Sequence, residues 1–193
     1  MKNVDRRAIT KNIAVTAMLT ALVVALQFVG QFLRFGPFSI SLVLVPIVIG
    51  GALGGWKTST WLGLVFSVIV LLTDAGAFLA ISVWGTVVTV ILKGALAGLL
   101  CGITYKLLEK KNRYLAVIIS ALVCPIVNTG IFLLGCVVFF FETIESWGLA
   151  LGFQNAIEYM FLGLVGINFL IELATNVVLA PTIVRLINVR KRD

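Results

Sequence analysis

The sequence predicts an all-α fold: one integral membrane domain over residues 1–193, a six-transmembrane-helix bundle with both termini cytoplasmic. Three observations carry this. The chain is 61% hydrophobic and 12% charged, with a mean hydropathy of +1.14, more apolar side chain than a soluble domain of this size can hide. Apolar runs of bilayer length recur along it. Finally, every Lys and Arg except Arg34 and Lys93 lies before the first run, after the last, or in alternate connections, while the other connections carry Arg34, Asp74, Glu142, Glu145 and Glu158. This is the positive-inside pattern, which demands an even number of spans. The net charge of +7 therefore points to anionic lipid headgroups rather than nucleic acid. The basic segment Met1 to Asn12 leads into a run long enough to span and lacking a small-x-small cleavage site, so no cleavable signal is expected.

The first span covers Ile13 to Leu33 and is followed by an outer turn, Arg34-Phe35-Gly36-Pro37-Phe38. The second, Ser39 to Leu53, is short and holds Pro46, which removes a backbone donor and kinks a helix interior. It ends in the glycine-rich run Gly50-Gly51-Ala52-Leu53-Gly54-Gly55. The third covers Thr58 to Leu72; residues 75–83 read equally as a loop or a short re-entrant segment. The fourth spans Trp84 to Leu108, the fifth Tyr114 to Phe141 with Pro125 near its middle, and the sixth Met160 to Ile187 with Pro181 near its inner end. Glu142 to Tyr159 reads as the longest polar connection. No internal repeat is visible.

Within the first span Ala17, Ala21 and Ala25 recur every fourth residue, a stripe of small side chains on one helix face. In lipid such a stripe lets another helix approach closely, whether that helix belongs to this chain or to another protein. Gly94, Gly98 and Gly102 form a second such stripe, assigned to internal packing.

Few residues offer chemistry. There is no histidine, and Cys101, Cys124 and Cys136 lie in apolar runs as small packing residues, so no metal site and no cofactor is expected. Gly50 to Ser59 superficially resembles a phosphate loop, but Trp56 stands where the glycine before the lysine is required. Lys93 lies about 13 Å below the outer end of its span, at 1.5 Å per residue. An ammonium there must face the bundle interior, either as a contact for a polar ligand or as an internal ion pair with Glu172. Thr86 and Thr89 share its face. Asn168, Glu172 and Asn176 repeat at four-residue spacing, and Asn128 follows Pro125; these groups are expected to converge, around a ligand or in interhelical hydrogen bonds. At the outer surface Arg34, Phe35, Phe38, Asp74, Trp84, Trp147, Gln154, Asn155 and Tyr159 offer a lid, though aromatics at that level serve more often as interfacial anchors. No nucleophile–base pair or paired aspartate is present, so an enzyme is not expected.

Taken together, the span number, the short second span, Lys93-Gly94, the small size and Ala17-x3-Ala21-x3-Ala25 resemble the substrate-binding S components of energy-coupling factor (ECF) vitamin transporters, over nearly the whole length. The resemblance implies a bacterial cell membrane and one water-soluble vitamin enclosed near the outer ends of the last three spans. It also implies docking of the alanine stripe on a transmembrane coupling subunit, and two cytoplasmic ATPases that drive the cycle. It places Lys93, Asn128 and Asn168 among the substrate-binding candidates, with Phe38 and Trp84 as ring-packing residues; Thr89, Glu172 and Arg34 complete the set. Lys93 and Arg34 are the basic residues on the binding side, which favours a ligand with a carboxylate or phosphate: pantothenate first, with folate, riboflavin or a cobalamin-like ligand as alternatives. The competing reading is a self-sufficient small-solute secondary transporter.

Overall fold

A computed structural model describes residues 6–32, 34–35, 38–39 and 42–190; of residues 6–8, 34–35, 38–39, 186 and 188–190 only the backbone is described. The order is α1 (Arg6–Gly30), a two-residue antiparallel ladder of β1 (Arg34–Phe35) and β2 (Phe38–Ser39), α2 (Leu44–Gly54), α3 (Trp56–Thr73), α4 (Gly76–Leu79), α5 (Val83–Leu108), α6 (Arg113–Phe139), α7 (Phe141–Ala150), α8 (Ala156–Glu158), a π-helical turn (Tyr159–Leu164) and α9 (Gly166–Arg190). Arg34 pairs with Ser39 and Phe35 with Phe38, so the ladder lies where the sequence predicts a turn.

Among the described residues, five helices, α1, α3, α5, α6 and α9, are long and apolar enough to cross a membrane. The chain is a multi-pass membrane protein. The six-helix expectation meets its difference at α2, whose 11 residues reach only about 16 Å, half a hydrocarbon core. This helix starts at Leu44 rather than near Ser39, and that start changes the role of Pro46. The proline falls in the first turn, where its missing N–H costs no helical bond. What α2 lacks in length it makes up in enclosure: it packs against α1, α3, α5, α6 and α9 and buries Leu44, Ile47 and Val48 completely.

Glycine sets the spacing in this half. A Cβ added to Gly94 would meet the Gly63 carbonyl and the Ser67 hydroxyl, one on Gly98 the Ser59 carbonyl, and one on Gly102 the Trp56 backbone. The α5 stripe is thus the close-packing surface for α3, as its spacing suggests. Ser67 Oγ lies 2.7 Å from the Val90 carbonyl oxygen and 3.0 Å from that of Gly63, bonding across the two helices. On α1, Leu19, Val23 and Gln27 face inward, whereas Ala17, Ala21 and Ala25 are all exposed.

The far half is built differently. The α3–α5 connection, which the sequence leaves open between a loop and a short re-entrant segment, contains α4, a single helical turn that buries Phe78. The stretch after α6, expected as a polar connection, contains the ten-residue α7, which buries Ile144 and Gly148. This helix packs against α6, α8 and the π-helical turn. Phe78 packs edge-on against Phe132, Phe140 and Trp147 at centroid distances of 5.8, 5.0 and 5.7 Å. Two apolar clusters result: a large one around α2, and a smaller one comprising Phe78, Cys136, Phe140, Ile144, Ala156, Tyr159, Met160 and Leu164.

Candidate functional site

Between the two clusters lies a cavity of about 80 Å³, room for several waters. No residue of the short α2 lines it, whereas all five long helices do. α5 supplies Thr86, Thr89, Val90 and Lys93, spaced so that all four lie on one face. Asn128, Thr129 and Phe132 come from α6, and Asn168, Phe169 and Glu172 from α9. Phe66 and Val70 belong to α3, Gln27 to α1, and Asp74 and Phe78 to the α3–α5 connection. The π-helical turn inserts one residue per turn relative to an α-helix, and Leu164 and Val165 at its end also reach the lining.

The polar groups are concentrated there. Lys93 Nζ lies 5.6 Å from the centre of the Phe66 ring and 5.3 Å from that of Phe132, held between two π faces. Glu172 and Asp74 line the same cavity, so the two sequence readings of Lys93, ligand contact and partner of Glu172, fall in one place. Asp74 Oδ2 accepts a 2.6 Å hydrogen bond from Gln27 Nε2, which ties α1 to the rim. Asn128 Oδ1 and Thr89 Oγ1 are buried without a hydrogen-bond partner. Buried acceptors are rarely left so, and both lie in the lining, where a bound molecule can reach them.

Of the sequence candidates, Lys93, Asn128, Asn168, Glu172 and Thr89 converge on this cavity. Trp84 does not: it is 80% exposed, one residue from Gly85 and Thr86, which turn inward, and so it faces away from the bundle. The side chains of Arg34 and Phe38 lie outside the described residues. Asn176 shares its face with Asn168 and Glu172 but sits a turn deeper, where its Nδ2 donates to the Glu172 carbonyl at 2.8 Å. Among the outer residues, Tyr159 is buried against Phe153, Trp147 packs on Phe78, and Asn155 caps α8 by accepting from the Glu158 amide. Burial raises the Tyr159 phenol above its ordinary range. The sequence reading missed Gln27, Phe66, Phe132 and Phe169. Gln27 was visible in principle, since it continues the Leu19, Val23 four-residue spacing on the α1 face opposite the alanines. The phenylalanines carried no signal, being ordinary members of apolar runs.

No curated protein and no solved structure matches the chain. A family model described as "ECF transporter, substrate-specific component" matches residues 11–184. That match takes in α2, α3, α5 and α6, most of α1 and α9, and every residue lining the cavity. The chain therefore belongs to the substrate-specific components of ECF transporters, a family of substrate-binding subunits.

Proposed function

We propose that the cavity binds one water-soluble vitamin taken from outside the cell, and that the loaded protein delivers it by docking on a coupling subunit driven by two ATPases. The whole chain acts as one membrane unit in a bacterial cell membrane, with both termini cytoplasmic. The single observation that carries the binding reading is the set of convergent polar groups, Lys93, Asn128, Asn168, Glu172 and Thr89, in an enclosed space inside an otherwise apolar bundle. Such groups are costly in a membrane and mark substrate paths by default. The exposed stripe Ala17, Ala21, Ala25 supports the docking reading: glycines already serve the α3–α5 packing, and the alanines point away from it.

The lining also bears on which vitamin. Lys93 supports a ligand with a carboxylate, pantothenate foremost. Two carboxylates stand beside it, however, and Phe66, Phe78, Phe132, Phe140 and Phe169 surround it. Formal charge in the described lining is negative by one, and five phenylalanines belong to it. This favours a ring-bearing ligand of low net charge, with a donor for Asn128 Oδ1, ahead of aliphatic pantothenate. Mass spectrometry of small molecules released from the purified chain tests the proposal. One ring-bearing vitamin is expected; recovery of pantothenate restores the carboxylate reading, and release of no vitamin defeats the binding assignment. Uptake into liposomes by the chain alone would instead establish a self-sufficient transporter.

A further inference from the structure

The glycine-rich run that fails as a phosphate loop has a structural outcome of its own. Gly55 adopts φ 80° and ψ −177°, a backbone conformation open in practice to glycine alone. It reverses the chain between α2 and α3 and serves as the N-cap of α3, with no side chain satisfying the first amides. Those amides have no carbonyl one turn earlier in their own helix, and the positive end of the helix dipole adds to them. The turn forms one wall of a second cavity, of about 430 Å³, at the basic end of the bundle. Lys57 and Lys106 line it, with Glu109 as the one acidic residue. Tyr105 lines it too: the residue is 2% exposed, yet its hydroxyl has no hydrogen-bond partner.

We propose that this cavity binds a phosphate-bearing anion, with the α3 N-terminus, Lys57 and Lys106 meeting its charge and the Tyr105 hydroxyl donating to one oxygen. Each feature fits the same ligand. A helix N-terminus and two ammonium groups select negative charge; a buried phenol without a partner needs an acceptor. ATP is not required, since the loop lacks the glycine–lysine cradle. The membrane offers a suitable source, because the positive-inside reading puts this end among anionic phospholipid headgroups. Soluble phosphate shares the chemistry.

The test uses the full chain purified in dodecyl maltoside, titrated separately with phosphatidylglycerol, phosphatidylcholine and inorganic phosphate. Binding is read by native mass spectrometry and thermal unfolding. Phosphatidylglycerol is expected to bind about tenfold more tightly than phosphatidylcholine. K57Q/K106Q is expected to lose about 25-fold in affinity, because each lysine near the surface contributes on the order of a factor of five. K110Q/K111Q removes the same charge from the neighbouring exposed connection and is expected to change binding less than about twofold. Y105F keeps the ring and is expected to weaken binding several-fold while leaving the lipid-free unfolding temperature in place. If inorganic phosphate binds with the same dependence on Lys57, Lys106 and Tyr105 while phosphatidylglycerol does not, the site stands and its ligand is soluble. Equal affinity for the two lipids, with no phosphate binding, overturns the proposal, as does an equal loss in the two lysine pairs.

Discussion

The two halves of this bundle use the same helices for opposite ends. In the basic half α2 fills the axis, α3 and α5 touch through Gly63, Gly94, Gly98 and Gly102, and buried side chains such as Leu44, Ile47 and Leu62 leave no solvent contact. In the aromatic half the axis is vacant, spacing is set by Phe78, Phe132 and Phe140, and polar groups face inward. The difference follows from one quantity, the length of α2. A full-length central helix would have occupied the volume that Lys93 and Asn128 now share. Packing density in membranes comes from van der Waals contact and interhelical hydrogen bonds rather than from water exclusion, so the core around α2 can be dense while the enclosed space beyond it is lined by polar groups.

If that division holds, substitutions in the basic half should change stability and those in the aromatic half should change affinity. The largest effect is expected from Gly98→Leu. Its side chain would drive into the Ser59 backbone, and loss of the folded, monodisperse protein in detergent is the expected outcome. A stable Gly98→Leu protein with unchanged unfolding temperature would break the comparison. Ala21→Trp probes the outward face of the same half. It should abolish uptake and co-purification with the coupling subunit yet keep ligand affinity; retained uptake would remove the stripe from the docking surface.

In the aromatic half, Asn128→Ala should weaken ligand binding about 10- to 100-fold, the cost of about 1–3 kcal/mol for one buried hydrogen bond, with little change in ligand-free unfolding temperature. Calorimetric titration reads this directly, and an unaltered Kd would take Asn128 out of the site. Asp74→Asn keeps an acceptor for Gln27 but removes a charge from the rim; a change of a few-fold in Kd is expected, against none if Asp74 only positions Gln27. Smallest of all is Trp84→Ala, for which affinity should stay within about twofold because the ring faces outward. A tenfold loss there would mean that the connection before α5 closes over the ligand.

Much of this arrangement was legible in the chain. The spacing of Thr86, Thr89 and Lys93 gave one wall, and that of Asn168 and Glu172 another, because a polar residue in a bilayer helix has few places to point. The glycine stripe on α5 read as internal packing and meets α3, whereas the alanine stripe on α1, of identical spacing, is exposed; only the contacts tell the two apart. Trp84 misled because an aromatic near a helix start has no fixed direction until the helix phase is known. Residues 141–150 looked like a connection because their polar content hides an amphipathic face, and that face acquires meaning only where the bundle end is there to receive it.

By itself the sequence determined the class, the five long crossing segments and most of the inward polar groups, since each follows from the cost of exposing a polar or charged group to hydrocarbon. Only the tertiary structure decided that Pro46 opens a short central helix instead of kinking a long one, and that the vacancy beyond this helix is ringed by phenylalanine. It also decided that Gln27 and Asp74 join Lys93 at the rim. These depend on where helices end relative to one another, a property that no local spacing encodes.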